Sequence, residues 1–332
     1  MTQIYDVTLR DGNHALRHQL DHQFVTAYCK IADKSGVWAV EVGHGNGLGA
    51  SSYLVGKSFE SDFSLLTAAR SALTTSKLAV HSIPGFATIK RDLIPAIESG
   101  VDIFRVATHV TEANTSEKHI EFLANKGVIV HGVLMMSHMN TIKGLVNQAE
   151  LMYKYGASAV ILMDSSGHFV PKDVQERVDA VKNALPVEVG FHAHNNLGVA
   201  VTNSIEARLA GASIIDGASM GLGAGAGNAQ LENIIAVSNR EDVKIDVGNL
   251  EYFIEMSLLV EKSYPGFLPR TSSSSTQSGM AGVFSGYAPQ VKLLAEELGI
   301  NVGILWDEMA RRKLVAGQES MIREIAQDIM NL

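Results

Sequence analysis

Two histidines separated by one residue, His192 and His194, close the apolar run VEVGFHAH. Side chains alternate along a β-strand, so both imidazoles would project from the same face of such a strand. Asp11 follows another strand-like run, IYDVTL. One carboxylate and two imidazoles can form a facial site for a divalent metal ion that leaves positions open for substrate and water. The alternative is that a histidine here is only a hydrogen-bonded polar residue at a strand end, and Asp11 favours the metal site.

Two residues beside Asp11 could take part in the chemistry of such a site. Arg10 could hold the negative charge that develops on an enolate, a role to which a fixed guanidinium is suited. His14 could act as a general base, because the unperturbed pKa of histidine lies near neutral pH. The alternatives are a surface arginine paired with an acid and a solvated loop histidine.

The elements that must position these residues are short β-branched runs alternating with helical segments, from residue 4 to about 240. We predict eight strands within IYDVTL, VWAVEVGH, KLAVHSI, DIFRVATH, VIVHGVLMM, AVILMDS, VEVGFHAH and SIIDGASM. Glycines that end helices, as in KSGVW and ESGVD, separate the units. Eight units predict an α/β fold, a (β/α)8 TIM barrel, rather than a doubly wound sheet, since the turn after the first strand is RDGNHA and not GxGxxG.

In such a barrel the reactive residues lie at the carboxyl ends of the strands. The predicted strand ends carry Arg10, Asp11, His14, Glu41, His44, Arg105, Thr108, His109, Ser137, His138, Asp164, Ser165, His192 and His194. The glycine-rich run SMGLGAGAGNAQLE follows the eighth strand, where glycine lets the backbone approach a ligand closely. The sequence therefore predicts an active site at one rim of the barrel.

A second region begins near Asn249, which divides the chain into a catalytic barrel at 1–248 and a helical C-terminal extension at 249–332. Three helices are predicted at Pro289–Leu298, Val302–Arg312 and Glu319–Met330, and the serine run Ser272–Ser275 is predicted to be a loop. The extension is too short to bury a large core alone, so we expect it to pack on the barrel or on a partner.

The composition narrows the class of protein. The 332 residues carry a formal net charge of −8 without a basic cluster, which argues against nucleic acid or an anionic membrane as the main partner. Cys29 is the single cysteine, which excludes an internal disulfide. The N-terminus lacks a signal-peptide pattern and no apolar run is long enough to span a membrane, so a cytoplasmic protein is predicted.

Several motifs together resemble one family along nearly the whole chain. DVTLRDGNHALRHQ, EVGHGNGLGASS, LMMSHM, HAHNNLG, MGLGAGAGNAQLE and GQESMI are similar to segments of the 4-hydroxy-2-oxovalerate aldolases. These are class II pyruvate aldolases of aromatic meta-cleavage pathways, in the barrel superfamily of hydroxymethylglutaryl-CoA lyase and isopropylmalate synthase.

The resemblance implies a metal-dependent lyase that cleaves a 4-hydroxy-2-oxo acid, such as 4-hydroxy-2-oxovalerate, to pyruvate and a short aldehyde. Asp11, His192 and His194 would bind the divalent ion, Mn²⁺ first and Mg²⁺ or Co²⁺ as alternatives. Arg10 would stabilise the pyruvate enolate, and His14 would take the proton of the C4 hydroxyl. Ser165 and His192, with Arg10, are expected to contact the substrate.

The resemblance also implies a partner. In this family the C-terminal helices bind an acylating aldehyde dehydrogenase, to which the aldehyde passes through a channel. We therefore expect such a dehydrogenase as partner of the region after Asn249, and an oligomeric assembly.

Three departures from the family pattern concern the part that meets the aldehyde. The family's active-site tyrosine, in GVYSS, is Phe284 here, and phenylalanine cannot donate a proton. Tyr287, three residues on, is the candidate to supply the hydroxyl instead. The second departure is that Asn195 replaces a family histidine and that the family's AHG after the second strand is GHG here. The third is that the family's LLPGIGT is SIPGFAT here, with Ile83 and Phe86.

Two alternatives remain at the sequence level. A related lyase or acyl-CoA-dependent condensing enzyme would share RDG and HxH, but such lyases usually carry a cysteine in the glycine-rich loop, where this chain has none. A non-catalytic barrel scaffold is disfavoured, because a dead enzyme has no physical need for a charge cluster at one rim.

Overall fold

Eight parallel strands form the centre of the computed structural model, which describes residues 2–241, 245, 247–267, 270–315 and 317–331. They are β1 Gln3–Asp6, β2 Ala39–Glu41, β3 Lys77–Ser82, β4 Ile103–His109, β5 Ile129–Met135, β6 Ala159–Asp164, β7 Glu188–Ala193 and β8 Ile214–Gly217. Each strand pairs with the next, and β1 pairs with β8, which closes the barrel. The predicted (β/α)8 barrel is confirmed: seven strands lie inside their predicted runs, and β1 begins one residue before its run, at Gln3.

Helices lie between the strands and after the last one. They are α1 Gly12–Ala15, α2 His22–Ser35, α3 Asp62–Ala72, α4 Ile94–Glu98, α5 Glu117–Asn125, α6 Ile142–Tyr155, α7 Pro171–Ala184, α8 Ala200–Leu209, α9 Leu231–Arg240, α10 Leu250–Ser263, α11 Ser273–Ala281, α12 Ala288–Leu298, α13 Val302–Arg311 and α14 Glu319–Met330. Left-handed glycines end several of them, including Gly36 after α2 and Gly156 after α6. No described helix is both long and apolar enough to cross a bilayer.

The inside of the barrel carries charged side chains where branched apolar residues usually dominate. Arg105 of β4 reaches Asp216 of β8 at 2.8 Å, although these two strands are not neighbours. Both side chains must therefore point into the barrel. Residues paired across parallel strands share a face, so His81 and His131, which both pair with Arg105, point inward as well.

The C-terminal helices divide between two cores. Phe253, Met256 and Val260 of α10 are buried in the large core of the barrel. Helices α12, α13 and α14 form a second apolar cluster around Leu305 and Trp306, both 0% exposed. The predicted helices of this region agree with the structure, whereas the proposed division at residue 248 stays a prediction.

The prediction that Ser272–Ser275 is a loop was wrong. Ser272 is the N-cap of α11, where its hydroxyl accepts the backbone N–H of Ser275, and the helix continues to Ala281. Serine has a modest helix propensity of its own, but it is among the best capping residues. Packing supplies the rest, because Ser278 and Gly279 are buried against the barrel.

Candidate metal centre and active site

Asp11, His192 and His194 come together at the carboxyl end of the barrel. Their potential ligand atoms all lie within 4.8 Å of one another, and all three residues are buried. The Nε2 atoms of the two histidines are 3.3 Å apart, and Oδ2 of Asp11 lies 4.0 Å from Nε2 of His192. One carboxylate and two imidazoles that converge in this way suit a divalent ion such as Mn²⁺ and leave further coordination positions open.

The glycine-rich loop after β8 holds Asp11 in place. Oδ1 of Asp11 accepts hydrogen bonds from Nδ2 of Asn228 at 3.0 Å and from the backbone N–H of Ala224 at 3.3 Å. A Cβ atom on Gly223 would lie 2.8 Å from the same oxygen. Only glycine therefore allows the loop to approach so closely, which gives the glycine-rich run a role in positioning a metal ligand.

A chain of ion pairs inside the barrel orients His192. Nδ1 of His192 lies 2.9 Å from Oδ2 of Asp216, and Arg105 donates two hydrogen bonds to the same carboxylate, at 2.8 and 3.0 Å. Burial opposes ionisation of Asp216, but Arg105 and His192 outweigh it and lower the pKa of that carboxyl. An ionised Asp216 keeps the proton on Nδ1 of His192 and leaves Nε2 free to bind a metal ion.

Arg10 links this network to the metal ligands. Its Nε donates to Glu41, and its Nη1 donates to Oδ2 of Asp11 at 2.6 Å. Its Nη2 is enclosed and has no hydrogen-bond partner among the described residues. Burial disfavours the charged form of Asp11, yet Arg10 and the nearby histidines hold the pKa of Asp11 well below its usual range. Arg10 thus presents one spare donor beside the metal ligands.

His14 lies next to the same cluster. Burial, more than its charged neighbours, lowers the pKa of His14 below its usual value, which keeps the ring neutral at pH 7 and able to accept a proton. The His14 ring lies against Gly45, where a Cβ atom would be only 2.6 Å from the ring. Glycine at position 45 therefore leaves room for the His14 side chain. The ring of His18 packs edge-on against it, with 5.2 Å between the centroids.

Two other candidates lie in different surroundings. Ser165 follows β6, next to β7, and its hydroxyl accepts the backbone N–H of Met136 at 3.0 Å. Tyr287 is buried in the C-terminal cluster, where its hydroxyl donates to the carbonyl of Val315 and accepts from the N–H of Gln318. The structure therefore brings Tyr287 together with the C-terminal helices and not with the metal ligands. The roles proposed for both residues stay predictions.

Helix α11 packs on the loops that follow β5, β6 and β7. His138 and His168 contact the carbonyls of Gly282 and Gly279, at 2.8 and 2.6 Å. Nδ2 of Asn196, two residues after His194, donates to Oγ of Ser278 at 2.8 Å. The barrel rim and the C-terminal helices are thus joined directly behind a metal ligand.

Sequence reasoning gave no role to Asp216, Asn228 or His81. The signal for Asp216 and His81 was present, since each is a polar residue that directly follows an apolar stretch of its strand, Ile214–Ile215 and Leu78–Val80. Asn228 carried no signal apart from its place in the glycine-rich loop.

Comparisons with known proteins agree with this arrangement. Residues 1–260 match the HMGL-like family model, and residues 269–331 match the model of the DmpG-like communication domain. The chain is 48% identical to the 4-hydroxy-2-oxovalerate aldolase of Pectobacterium atrosepticum over 98% of this chain and 94% of that protein. It is also 48% identical to the aldolase of the same name from Spirochaeta aurantia, over 98% and 95% of the two chains.

Solved structures support the fold. The N-terminal domain of a Bacteroides vulgatus protein superimposes with a TM-score of 0.76 at 24% identity, over 87% of this chain and 95% of that one. The carboxyl transferase domain of Rhizobium etli pyruvate carboxylase superimposes with a TM-score of 0.82 at 14% identity, over 99% of this chain and 60% of that one. The matched models and the identity along nearly the full length confirm the resemblance seen in the sequence: the chain belongs to the 4-hydroxy-2-oxovalerate aldolase family of carbon–carbon lyases.

Proposed function

We propose that this chain cleaves a 4-hydroxy-2-oxo acid between C3 and C4 to give pyruvate and a short aldehyde. The observation that carries the proposal is the convergence of Asp11, His192 and His194 beside Arg10, in a chain of this family. The alternative of a lyase with a catalytic cysteine loses support, because Cys29 is buried in α2.

Asp11, His192 and His194 would hold the metal, and Mn²⁺ is our first choice. The mixed oxygen and nitrogen donors also suit Mg²⁺ or Co²⁺, and they differ from the closed, thiolate-rich set typical of structural zinc. A divalent ion bound there would polarise the 2-oxo group of the substrate.

The remaining steps fall to the protein side chains. Neutral His14 takes the proton of the C4 hydroxyl, the C3–C4 bond breaks, and the aldehyde forms. The electron pair of the broken bond passes into the pyruvate unit as an enolate. Nη2 of Arg10, which has no partner among the described residues, donates to the enolate oxygen. A proton from water then adds to C3 and gives pyruvate, and His14 returns its proton to the solvent.

We also propose that the C-terminal helices bind an acylating aldehyde dehydrogenase. The match of residues 269–331 to the DmpG-like communication domain supports this partner. Co-expression with a candidate dehydrogenase, followed by affinity purification and gel filtration, tests it. Recovery of the free aldolase alone would count against the partner. The oligomeric state, the cytoplasmic location and a place in aromatic catabolism stay predictions.

Pyruvate release from a panel of 4-hydroxy-2-oxo acids tests the reaction. The chain is treated with EDTA and then supplied with Mn²⁺, Co²⁺ or Mg²⁺ in separate assays. Release that stops with EDTA and returns with metal supports the proposal, whereas no release from any acid with any metal would overturn it.

Asp11→Asn tests the ligand assignment. The amide cannot replace the negative charge, so we expect metal-dependent activity to fall by at least about 100-fold, as loss of even an outer partner of a metal ligand costs 10- to 100-fold. Asp307→Asn, at an exposed position of α13, is the matched control and should leave activity unchanged. Full activity of Asp11→Asn would show that the ligand assignment is wrong.

A further inference from the structure

His81 is a buried histidine of β3 for which the proposed reaction has no use. The residue is 2% exposed, and its Nδ1 is enclosed without a hydrogen-bond partner in the described part of the chain. A buried ring nitrogen without a hydrogen-bond partner destabilises the folded protein. Such an atom beside an active site indicates a position where a ligand supplies the missing hydrogen bond.

Strand register places the His81 side chain inside the barrel, at the level of the active site. His81 pairs with Arg105, whose side chain crosses the barrel interior to Asp216. Ala79, two residues earlier in β3, pairs with Glu41, the residue whose carboxylate binds Arg10. His81 therefore faces the same side as Ala79 and lies two residues nearer the carboxyl end of the strand.

The electrostatic neighbours of His81 are those of the metal centre. Burial, followed by the positive charges of Arg10 and Arg105, holds the pKa of His81 well below its usual range, and Asp11 acts in the opposite direction. His131, the other inward histidine that pairs with Arg105, also has an Nδ1 without a partner among the described residues, but its ring stacks on Trp38 with 5.7 Å between the centroids, and neither Arg10 nor Asp11 is among the charges that act on it. His81 therefore belongs to the metal end of the interior, and His131 packs against an aromatic ring.

The charge state of His81 limits what it can recognise. A neutral imidazole offers one N–H donor and one acceptor nitrogen, which suit an uncharged oxygen that can both donate and accept. In the proposed reaction, the metal ligands and Arg10 already serve the charged 2-oxo acid end of the substrate. The C4 hydroxyl donates its proton to His14, and its oxygen can still accept a hydrogen bond from an N–H of His81.

We propose that His81 hydrogen-bonds the C4 hydroxyl of the substrate, and thereby fixes the orientation of the C3–C4 bond that is cleaved. This inference rests on the proposed function and adds a contact to the aldehyde half of the substrate.

Two reactions of the full, metal-loaded chain separate this role from a general one. Cleavage of the 4-hydroxy-2-oxo acid involves the C4 hydroxyl. The exchange of the methyl protons of pyruvate with D2O, which NMR measures, passes through the same enolate but involves no C4 hydroxyl. His81→Leu should lower kcat/KM for cleavage by about 10-fold or more, the kinetic equivalent of one lost hydrogen bond, and leave the exchange rate within about twofold.

His81→Asn is the second variant, since it keeps a donor and an acceptor, and it should recover part of the lost cleavage activity. If His81→Leu does not fold, the result with His81→Asn decides the test. The Mn²⁺ affinity of each variant, measured by calorimetry, shows whether its metal site is intact. Suppose that the wild-type chain performs both reactions. If the variants then cleave at the wild-type rate, or lose cleavage and exchange equally, the role of His81 is overturned and the proposed function still stands. If the wild-type chain performs neither reaction, the proposed function fails and the inference fails with it.

Discussion

The barrel interior and the C-terminal cluster bury their side chains by opposite means. Around the metal ligands, Arg105 is 0% exposed and lies between two carboxylates, those of Asp216 and Glu41. The C-terminal cluster around Leu305 and Trp306 is built from apolar side chains. Buried ion pairs are expensive to desolvate and often contribute little net stability, whereas apolar burial stabilises directly. The comparison indicates that the buried charges of the barrel interior are fixed in position but add little net stability. The apolar side chains of the C-terminal cluster stabilise the fold directly.

The largest effect is expected from Arg105→Leu, which removes the central cation of the barrel network. Two buried carboxylates would each lose a cationic partner, and Asp216 would keep only His192, so we expect the free energy of unfolding to fall by about 3–5 kcal/mol. The measurement is urea unfolding followed by circular dichroism. Arg311→Leu removes a solvent-screened pair with Glu308 and should leave the urea midpoint almost unchanged. Equal costs for the two arginines would show that burial of the network carries no special weight.

Leu305→Ala tests the other side of the comparison. The side chain is 0% exposed, and its removal should destabilise the C-terminal cluster by about 2–5 kcal/mol through lost burial and a cavity. Affinity of the barrel for Mn²⁺, measured by calorimetry, should not change. A large loss of metal affinity would mean that the two regions are not energetically separable.

Mild acid should weaken the barrel before the C-terminal cluster, because the chain has no histidine after His194. The pKa values of eight barrel histidines are lowered, chiefly by burial: those of His18 and His131 to about 3, those of His44, His138 and His194 to about 4, that of His81 well below its usual range, and those of His14 and His109 below their usual value. These groups are neutral when folded and take up protons near pH 6.5 when unfolded. Their contribution to stability is therefore present above about pH 6.5 and is lost as the pH falls toward 4.

Four carboxyls act against this trend, since burial raises the pKa of Asp6 and Asp164 to about 6 and raises the pKa of Asp62 and Glu232 above their usual values. They are fewer than the histidines, so the net effect of acid should be destabilising. Urea unfolding at pH 7.5 and pH 5 can be followed separately in the two regions, with Trp38→Phe to isolate Trp306 and Trp306→Phe to isolate Trp38. Identical shifts of the two midpoints would contradict the expected difference.

The smallest effect is expected where the two regions meet. Asn196→Ala removes the hydrogen bonds that Nδ2 donates to Ser278 and to the carbonyl of Ser275, which should cost about 1–2 kcal/mol. Faster hydrogen exchange at the amides of α11 would report the loss. Asn125→Ala, at the exposed end of α5, is the control. Unaltered exchange would show that α11 is held by its other contacts.

The sequence was sufficient for the features that depend on local periodicity. The alternation of short β-branched runs with helical segments, and glycine at helix ends, predicted the barrel. The one-residue spacing of His192 and His194 predicted that their rings would share a face. Asp11 could be added because all strand ends of such a barrel share one rim.

What the sequence did not predict depends on contacts between distant elements. The bond from Arg105 to Asp216 spans the interior between strands that are not neighbours. Helix α11 forms in a serine-rich segment because of its cap and its packing on the barrel, neither of which its composition indicates. The environment of Tyr287 follows from the packing of α12 and α14, which sequence spacing cannot fix.

The pairing of β1 with β8 sets the order of events while the chain is being made. The first strand cannot complete its hydrogen bonds until residues 214–217 have left the ribosome. Asp11 therefore comes close to His192 and His194 only after most of the barrel has been synthesised. Pairing across such a long stretch of chain is slow, and partly folded barrels expose unpaired strand edges in the meantime. The three candidate ligands therefore converge only when the barrel closes, and we expect a metal ion to bind after closure.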